Sequence, residues 1–302
     1  MRGVVVVNAG SGLGNDTDTV EKLRTLFEQA GASFEVRLAR SGAEIAGLVE
    51  AAVAQRPDVV VAAGGDGTVS AVAAGLVGGE IPLGVLPLGT LNHFARDLRI
   101  PVDLEEAVRT VVEGRIARVD VGEVNGRIFL NNSSLGLYPD VVRDRERQQR
   151  RLGRGKWPAL VWASLAVLRR FPFMTVRLSV DGRERLSRTP FVFIGNNAYL
   201  MEGFGIGERA VLDAGCLSLY VAHRAGRLRL LVLALRALFG RLRQASDFEA
   251  LLTGEIVVES RHHRMRVATD GEISVLEPPL RYRIRPAGLA VMVPDPISAT
   301  NP

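Results

Sequence analysis

The segment of this chain best suited to chemistry is Gly64-Gly65-Asp66-Gly67-Thr68. An apolar run, Val59-Val60-Val61-Ala62-Ala63, precedes it. A run rich in Ala and Val follows, from Val69 to Val77, and stops at Gly78-Gly79. The order reads as strand, glycine loop, helix. Glycines let the backbone come close to an anion and take torsions closed to other residues. The following helix turns its free N–H groups and positive dipole end toward the loop. A carboxylate inside a phosphate cradle calls for a metal ion or a hydroxyl as partner, so the segment points to a nucleotide with Mg²⁺. The same residues also suit a plain βα turn that happens to carry Asp66.

Other loops carry related chemistry. Asn8-Ala9-Gly10-Ser11-Gly12-Leu13-Gly14 follows the first apolar run with G-x-G-x-G spacing. No acidic residue closes the second strand to hold a ribose, because Ala39 and Arg40 stand there, which argues against a Rossmann dehydrogenase. No Gly-Lys-Ser/Thr occurs, which excludes a P-loop. Phosphates would be held by backbone N–H groups, hydroxyls, Mg²⁺ and Arg. A second glycine turn is Pro87-Leu88-Gly89-Thr90. Asp270-Gly271 offers a late carboxylate that equally suits the first position of a type I′ turn. His262 and His263 are neighbours on a strand-like stretch and would face opposite ways, so they read as solvated surface.

These residues need elements to position them. Residues 3–8, 33–38, 59–63 and 83–86 read as strands. Residues 17–30, 41–55 and 103–113 read as helices between and after them. Ser41 with Glu44, and Asp103 with Glu106, have the spacing of capping boxes. Such alternation predicts a parallel sheet with helices on both faces, where ligands sit at the carboxyl ends of the strands. Beyond about residue 116 the pattern changes. Asn125-Gly126, Asp181-Gly182 and Asp270-Gly271 are hairpin turn pairs between β-rich runs at 176–180, 191–194, 217–222, 255–259 and 265–269. Two helical stretches, 140–170 and 226–243, interrupt this half, and 289–293 reads as a strand returning to the first half. The expected architecture is an α/β N-terminal nucleotide-binding domain with a parallel sheet plus a mostly antiparallel β-rich C-terminal domain. The expected boundaries are 1–118, joined by 286–302, and 119–285.

The 302 residues suit two domains, and 47% apolar with 24% charged residues is a normal globular balance. The lone cysteine, Cys216, excludes a disulfide framework and a cysteine-based zinc site. The start of the chain has no signal-peptide pattern. No apolar run reaches the ~18 residues of a membrane span. A cytoplasmic location is therefore expected. The net charge of +5 is carried almost wholly by Arg, with lysine only at Lys22 and Lys156. Segment 143–156 concentrates it, with Arg143, Arg145, Arg147, Arg150, Arg151, Arg154 and Lys156 against Asp144 and Glu146. Near an anionic leaflet each such charge is worth about 1 kcal/mol, and the Trp157 and Trp162 that follow favour the interface. From charge alone the anionic partner is either a membrane or a nucleic acid.

Three motifs in order resemble the soluble diacylglycerol kinase family, which includes bacterial lipid kinases and the related sphingosine and ceramide kinases. They are Gly64-Gly65-Asp66-Gly67-Thr68, Pro87-Leu88-Gly89-Thr90-Leu91-Asn92-His93-Phe94-Ala95 and Asp270-Gly271-Glu272. The resemblance implies an ATP- and Mg²⁺-dependent lipid kinase with a two-domain architecture, whose lipid substrate makes peripheral docking of the basic segment 143–156 on the inner face of the membrane, and not nucleic-acid binding, the expectation. It implies ATP-phosphate loops at Asn8, Ala9, Gly10, Ser11 and Gly12, and at Gly64, Gly65, Asp66, Gly67, Thr68, Val69 and Ser70. Thr90 and Asn92 resemble nucleotide contacts. Asp270 resembles the catalytic base, with Glu272 beside it, and Asp66 and Asp120 resemble metal-associated carboxylates. The chain departs from the family pattern at His93, where an aspartate is usual, and at Ala214 in Asp213-Ala214-Gly215. An NAD or polyphosphate kinase, which also uses Gly-Gly-Asp-Gly, is one alternative, and the departures at His93 and Ala214 keep another in view, a lipid- and nucleotide-binding regulator with weak turnover.

Overall fold

The computed structural model describes residues 1–9, 16–136, 174–180, 182–200, 208–209, 211–222 and 248–295. The chain divides into two compact units. The first comprises Met1–Val121, Leu212–Ala214 and Arg285–Pro302, and the second Gly122–Val211 and Gly215–Ile284. Gly10, Ser11 and Gly12, the basic segment 143–156 and both expected helical stretches of the second half lie outside the described residues.

In chain order the first unit holds β1 (Arg2–Asn8), α1 (Asp16–Gln29), β2 (Ser33–Ala39), α2 (Gly42–Val53) and β3 (Val59–Gly64). It continues with α3 (Asp66–Ala74), β4 (Leu83–Pro87), α4 (His93–Asp97) and α5 (Leu104–Glu113). β5 (Arg115–Val124) leads on to β6 (Arg127–Phe129), β7 (Asn132–Gly136), β8 (Met174–Val180), β9 (Arg183–Thr189) and β10 (Phe191–Asn196). Then come β11 (Tyr199–Leu200), β12 (Glu208–Arg209), β13 (Leu217–Ala222), β14 (Phe248–Thr253), β15 (Glu255–Ser260), β16 (Met265–Thr269) and β17 (Glu272–Leu276). The last strand, β18 (Leu280–Val293), begins in the second unit and ends in the first.

In the first unit β2, β1, β3 and β4 lie side by side and all run parallel, and the end of β18 joins β4 in the same sense through Val291 and Leu83. Residues 59–63 are fully buried, as the inner strand of a sheet covered on both faces must be. Helix α5 sits over β4 with Ala107, Val108 and Val111 buried. Its start is capped as expected, because the Asp103 carboxylate accepts from the amides of Glu105 and Glu106 at 3.0 and 3.1 Å. The start of α2 corrects an expectation. Ser41 occupies the N-cap, yet its hydroxyl makes no capping bond, and Glu44 reaches back one residue further, to the Arg40 amide at 2.9 Å. Both side chains are exposed there, where water is an alternative partner for the first amides of the helix.

The second unit is antiparallel. One of its sheets runs β14-β13-β10-β7-β16-β17, and β15 pairs with β18 and β8, which pairs with β9. Leu135, Ile194, Leu219 and Val267 from the first group meet Val176, Ile256, Leu280 and Tyr282 from the second in one apolar core. The Tyr282 hydroxyl shares a 3.2 Å hydrogen bond with Ser133, which satisfies both polar groups inside that core. Asn125-Gly126 and Asp270-Gly271 have the paired positive φ of type I′ hairpin turns, 46° with 83° and 47° with 85°. His262 and His263 are exposed between β15 and β16, as solvated surface. The α/β half with a parallel sheet and the antiparallel β-rich half are the architecture the sequence predicts.

Candidate active-site elements

In the first unit the end of β1 meets the glycine turns that follow β3 and β4. Asn8 closes β1, and its side-chain amide donates to the Thr68 hydroxyl in the first turn of α3, at 3.1 Å. Ala9 is tied to the end of β2 by its amide, 2.9 Å from the Ala39 carbonyl. The two glycine turns are joined by their backbones: Leu88 N–H donates to the Gly64 carbonyl at 3.0 Å. Gly65 and Gly89 then pack main chain to main chain. A Cβ on Gly89 would lie 2.5 Å from the Gly65 Cα and 2.7 Å from the Asn92 Oδ1, a space only glycine fits. The first bond within α3 runs from Val69 N–H to the Gly65 carbonyl, at 3.0 Å. The amides of Asp66, Gly67 and Thr68 precede it, so the helix itself leaves them unpaired. Unpaired amides at the start of a helix, together with its dipole, are the groups that attract an anion.

Asn92 shapes the second turn from within. It takes the left-handed conformation, φ 51° and ψ 47°, at the start of α4. Its side-chain amide donates to the carbonyls of Pro87 and Gly89, at 3.2 and 2.9 Å, and its oxygen accepts from the Gly89 amide at 3.0 Å. With its polar side-chain atoms engaged and 7% of the residue exposed, Asn92 holds the turn. Thr90 and His93 are exposed on the same turn. Ser70 lies half-buried in α3, beside the buried Val69.

The two expected metal carboxylates differ. Asp66 is half-buried in the first turn of α3 and one of its oxygens accepts from the Phe94 amide at 3.3 Å, which ties the two glycine turns together. A Mg²⁺ ion that arrives with ATP is held mainly by phosphates and water, with one or two carboxylates, and Asp66 fits that need. Asp120 is only 1% exposed, and its Oδ1 accepts from the Ala287 amide at 2.9 Å where the chain bends at φ 49°. It holds a bend rather than facing solvent. Among the described residues no group of three His, Cys, Asp or Glu side chains is placed to hold a metal ion. Asp213 and Ala214 are exposed beside Leu212, whose carbonyl accepts from the Asp120 amide at 2.8 Å.

In the second unit Asp270 stands at the tip of the β16–β17 hairpin. Its carboxylate accepts three backbone amides from one segment: Leu130 to Oδ2 at 2.7 Å, and Asn131 and Asn132 to Oδ1 at 2.8 and 3.1 Å. The Asp270 amide donates in turn to the Asn132 carbonyl, at 2.9 Å. The turn carboxylate is thus tied to the backbone of the segment beside it. Glu272, two residues on, is exposed. Behind the cage lies a buried polar cluster that sequence reading passed over: Asn131, Asn196 and Arg209, each 5% exposed or less. The run Asn131-Asn132-Ser133-Ser134 between two leucines was its visible trace, since small polar residues seldom fill a β-core without a network to satisfy them. The second unit also contains a cleft of about 470 Å³, walled by Leu178, Val180, Leu219, Val221 and Leu251, with Arg183 and Arg185 beside them.

These features agree with the relationships of the chain. Residues 2–124 match the diacylglycerol kinase catalytic domain, and residues 136–293 match the YegS C-terminal NAD kinase beta sandwich-like domain. The chain belongs to the diacylglycerol kinase and YegS-like lipid kinase family. A diacylglycerol kinase of Staphylococcus saprophyticus is 42% identical over 91 residues, 29% of each chain. A diacylglycerol kinase of Bacillus subtilis is 36% identical over 121 residues, 39% of this chain and 40% of its own length. A Cronobacter sakazakii protein named "Probable lipid kinase YegS-like" is 35% identical over 132 residues, 42% of this chain and 44% of its own. The chain thus spans less than half the length of these relatives. The crystal structure of a diacylglycerol kinase from Bacillus anthracis superposes with a TM-score of 0.69 at 20% identity, covering 98% of this chain and 97% of that one. At that identity the likeness is one of fold.

Proposed function

We propose that this protein is an ATP- and Mg²⁺-dependent lipid kinase that transfers the γ-phosphoryl group to the hydroxyl of a diacylglycerol-like, sphingoid or ceramide-like lipid. The observation that carries the reading is the close main-chain packing of Gly65 and Gly89 within a stretch that matches the diacylglycerol kinase catalytic domain. Phosphoryl transfer asks for positioning, charge neutralisation and a base at the acceptor oxygen. The amides at the start of α3, the Asn8–Thr68 pair and the turn held by Asn92 would bind and orient the phosphates. Gly10, Ser11 and Gly12 would complete the loop after β1, and Thr90 would meet the nucleotide from the exposed side of the second turn. Bound Mg²⁺ would neutralise phosphate charge, with Asp66 as the carboxylate nearest the cradle. Asp270 would accept the hydroxyl proton as the lipid oxygen bonds to phosphorus and the bond to the ADP oxygen breaks. Glu272 would stand beside it.

On this reading residues 1–118 with 286–302 form the nucleotide domain, and 119–285 the lipid domain. The apolar cleft of the second unit has the size and lining of a small-ligand site and would suit an acyl chain. The basic segment 143–156 would bring the protein to the inner, anionic face of the membrane from the cytoplasm. A second reading, NAD as the phosphate acceptor, is favoured by the description of the domain matched at 136–293. Labelled ATP offered with dioleoylglycerol, sphingosine, ceramide and phosphatidylglycerol in mixed micelles, and with NAD in the absence of lipid, separates the two. Label in a lipid product is expected. Label in NAD alone would establish the second reading, and label in no acceptor would overturn both.

A further inference from the structure

Arg209 is a cation set inside the second unit, 5% exposed, on β12 opposite Tyr199 of β11. Taking a guanidinium out of water costs several kcal/mol unless its donors are well met. Here the planar fork is met by main-chain and amide oxygens. Nη1 donates to the Leu130 carbonyl at 2.6 Å and the Asn196 carbonyl at 3.2 Å, and Nη2 to the Asn131 Oδ1 at 2.8 Å. The guanidinium carbon also lies 5.6 Å from the centre of the Tyr199 ring, within cation–π range. Asn196 adds a second donor to the same Leu130 carbonyl, at 2.8 Å, and its own amide donates to the Asn131 carbonyl, at 2.9 Å.

The target of these bonds is the segment that cages Asp270. The Leu130 carbonyl and the Asn131 N–H belong to one peptide group. Arg209 and Asn196 pull on its oxygen while Asp270 accepts from its nitrogen. Hydrogen bonds in series polarise one another, so a cation on the carbonyl strengthens the amide as a donor. The bonds also fix the direction of that amide, and with it the carboxylate. We propose that Arg209 is a positioning residue for Asp270, acting through the Leu130–Asn131 peptide and the Asn131 side chain.

The inference rests on Asp270 being the base of the proposed transfer. The test measures kcat and KM for ATP with dioleoylglycerol micelles and labelled ATP in the wild type, Arg209→Lys, Asp270→Asn and the double variant. Lysine keeps the charge and loses the planar fork. A misplaced catalytic group can cost on the order of 100-fold, so Arg209→Lys should lower kcat by between about tenfold and that figure, with KM for ATP unchanged. Residues that act as a unit are not additive, so adding Arg209→Lys to Asp270→Asn should cost nothing further. A general loss of folding would instead lower the unfolding midpoint and the active fraction in both backgrounds. Asn131→Ser, which removes the acceptor of Nη2 and leaves the cation in place, is the second variant, with the same expected loss of kcat, should Arg209→Lys fail to fold. An Arg209→Lys enzyme with wild-type kcat, or a further loss in the double variant, overturns the positioning role while Asp270 keeps its own. An Asp270→Asn enzyme at wild-type rate, or a wild type that transfers label neither to dioleoylglycerol nor to the other lipids of the panel, fails the underlying reading instead, and the inference falls with it.

Discussion

The two units carry their candidate chemistry in opposite materials. In the first, the site is main chain: glycines at 65 and 89 packed together, amides at the start of α3, and side chains such as Asn92 that serve to hold the turns. In the second, the site is a side chain, Asp270, held by amides and backed by buried Asn131, Asn196 and Arg209. An anion cradle made of backbone tolerates changes in neighbouring side chains but not a Cβ at the point of contact. A caged carboxylate tolerates nothing at its own position and depends on a network behind it. Substitutions in the two regions should therefore fail in different ways.

The largest effect is expected at Asp270. Removing a general base costs on the order of 10²–10⁴ in rate. Asp270→Asn, which keeps size and loses the charge, should lose transfer by that amount while calorimetry finds ATP affinity unchanged. A variant with near wild-type turnover would reduce Asp270 to a turn residue.

Next in size is Gly89→Ala. The added Cβ meets the Gly65 backbone and the Asn92 oxygen, neither of which is the far end of a flexible chain. The turn must open, and ATP binding should weaken strongly while the antiparallel unit melts as before. Asp66→Ala should act more mildly. It breaks the tie to the Phe94 amide and removes a carboxylate beside the cradle, so affinity for ATP with Mg²⁺ should fall more than affinity for ATP in EDTA. Equal losses in both titrations would take Asp66 out of the metal's surroundings.

How much of this was legible in the sequence follows from the same contrast. Glycine motifs are visible because a close backbone approach leaves a residue type behind, and Gly64, Gly65 and Gly89 announce the loops that the structure packs together. The alternation of the first half and the turn pairs Asn125-Gly126 and Asp270-Gly271 were readable for a similar reason, since period and positive φ restrict residue choice. Polar networks leave a weaker trace. Arg209 meets Leu130, Asn131 and Asn196 across 79, 78 and 13 residues of chain, and nothing local marks it. Asp120 looked like a metal ligand by position, while its use at Ala287 depends on a bend 167 residues away. At Ser41 the capping-box spacing was present and the bond was not, because an exposed N-cap has water as an alternative. The segment β5 and the start of β18 were missed as strands: β5 passes from an exposed start to a buried end without alternating, whereas Leu280-Arg281-Tyr282-Arg283 at the start of β18 does alternate and was overlooked.

The basic segment 143–156 lies outside the described residues, and its role remains testable from charge alone. Replacing Arg147, Arg150, Arg151 and Arg154 with Gln should reduce sedimentation on anionic vesicles, affect neutral vesicles far less, and leave ATP affinity as it was. Screening over about 8 Å at physiological salt predicts that wild-type binding also falls as salt rises. Sedimentation like wild type at low salt would move the docking surface elsewhere.

The smallest effect concerns the core behind Asp270. Burial pushes the Tyr282 phenol well above its ordinary value, opposed in part by the hydrogen bond with Ser133. The folded state keeps this proton where the unfolded chain, titrating near about 10, gives it up. Stability from this group is whole below that pH and is lost as pH rises beyond it. Urea midpoints should fall from about pH 9 to about pH 11 more steeply in the wild type than in Tyr282→Phe. Parallel slopes would remove Tyr282 as the source.

The most direct test of the division of labour is one paired measurement on Gly89→Ala and Asp270→Asn: ATP affinity by calorimetry, and single-turnover transfer of labelled phosphate to dioleoylglycerol over a series of ATP concentrations. The account predicts a crossed result. Gly89→Ala should bind ATP poorly and recover transfer as ATP is raised, whereas Asp270→Asn should bind ATP like wild type and fail to transfer at any concentration. Loss of ATP binding in Asp270→Asn, or wild-type affinity in Gly89→Ala, would contradict it.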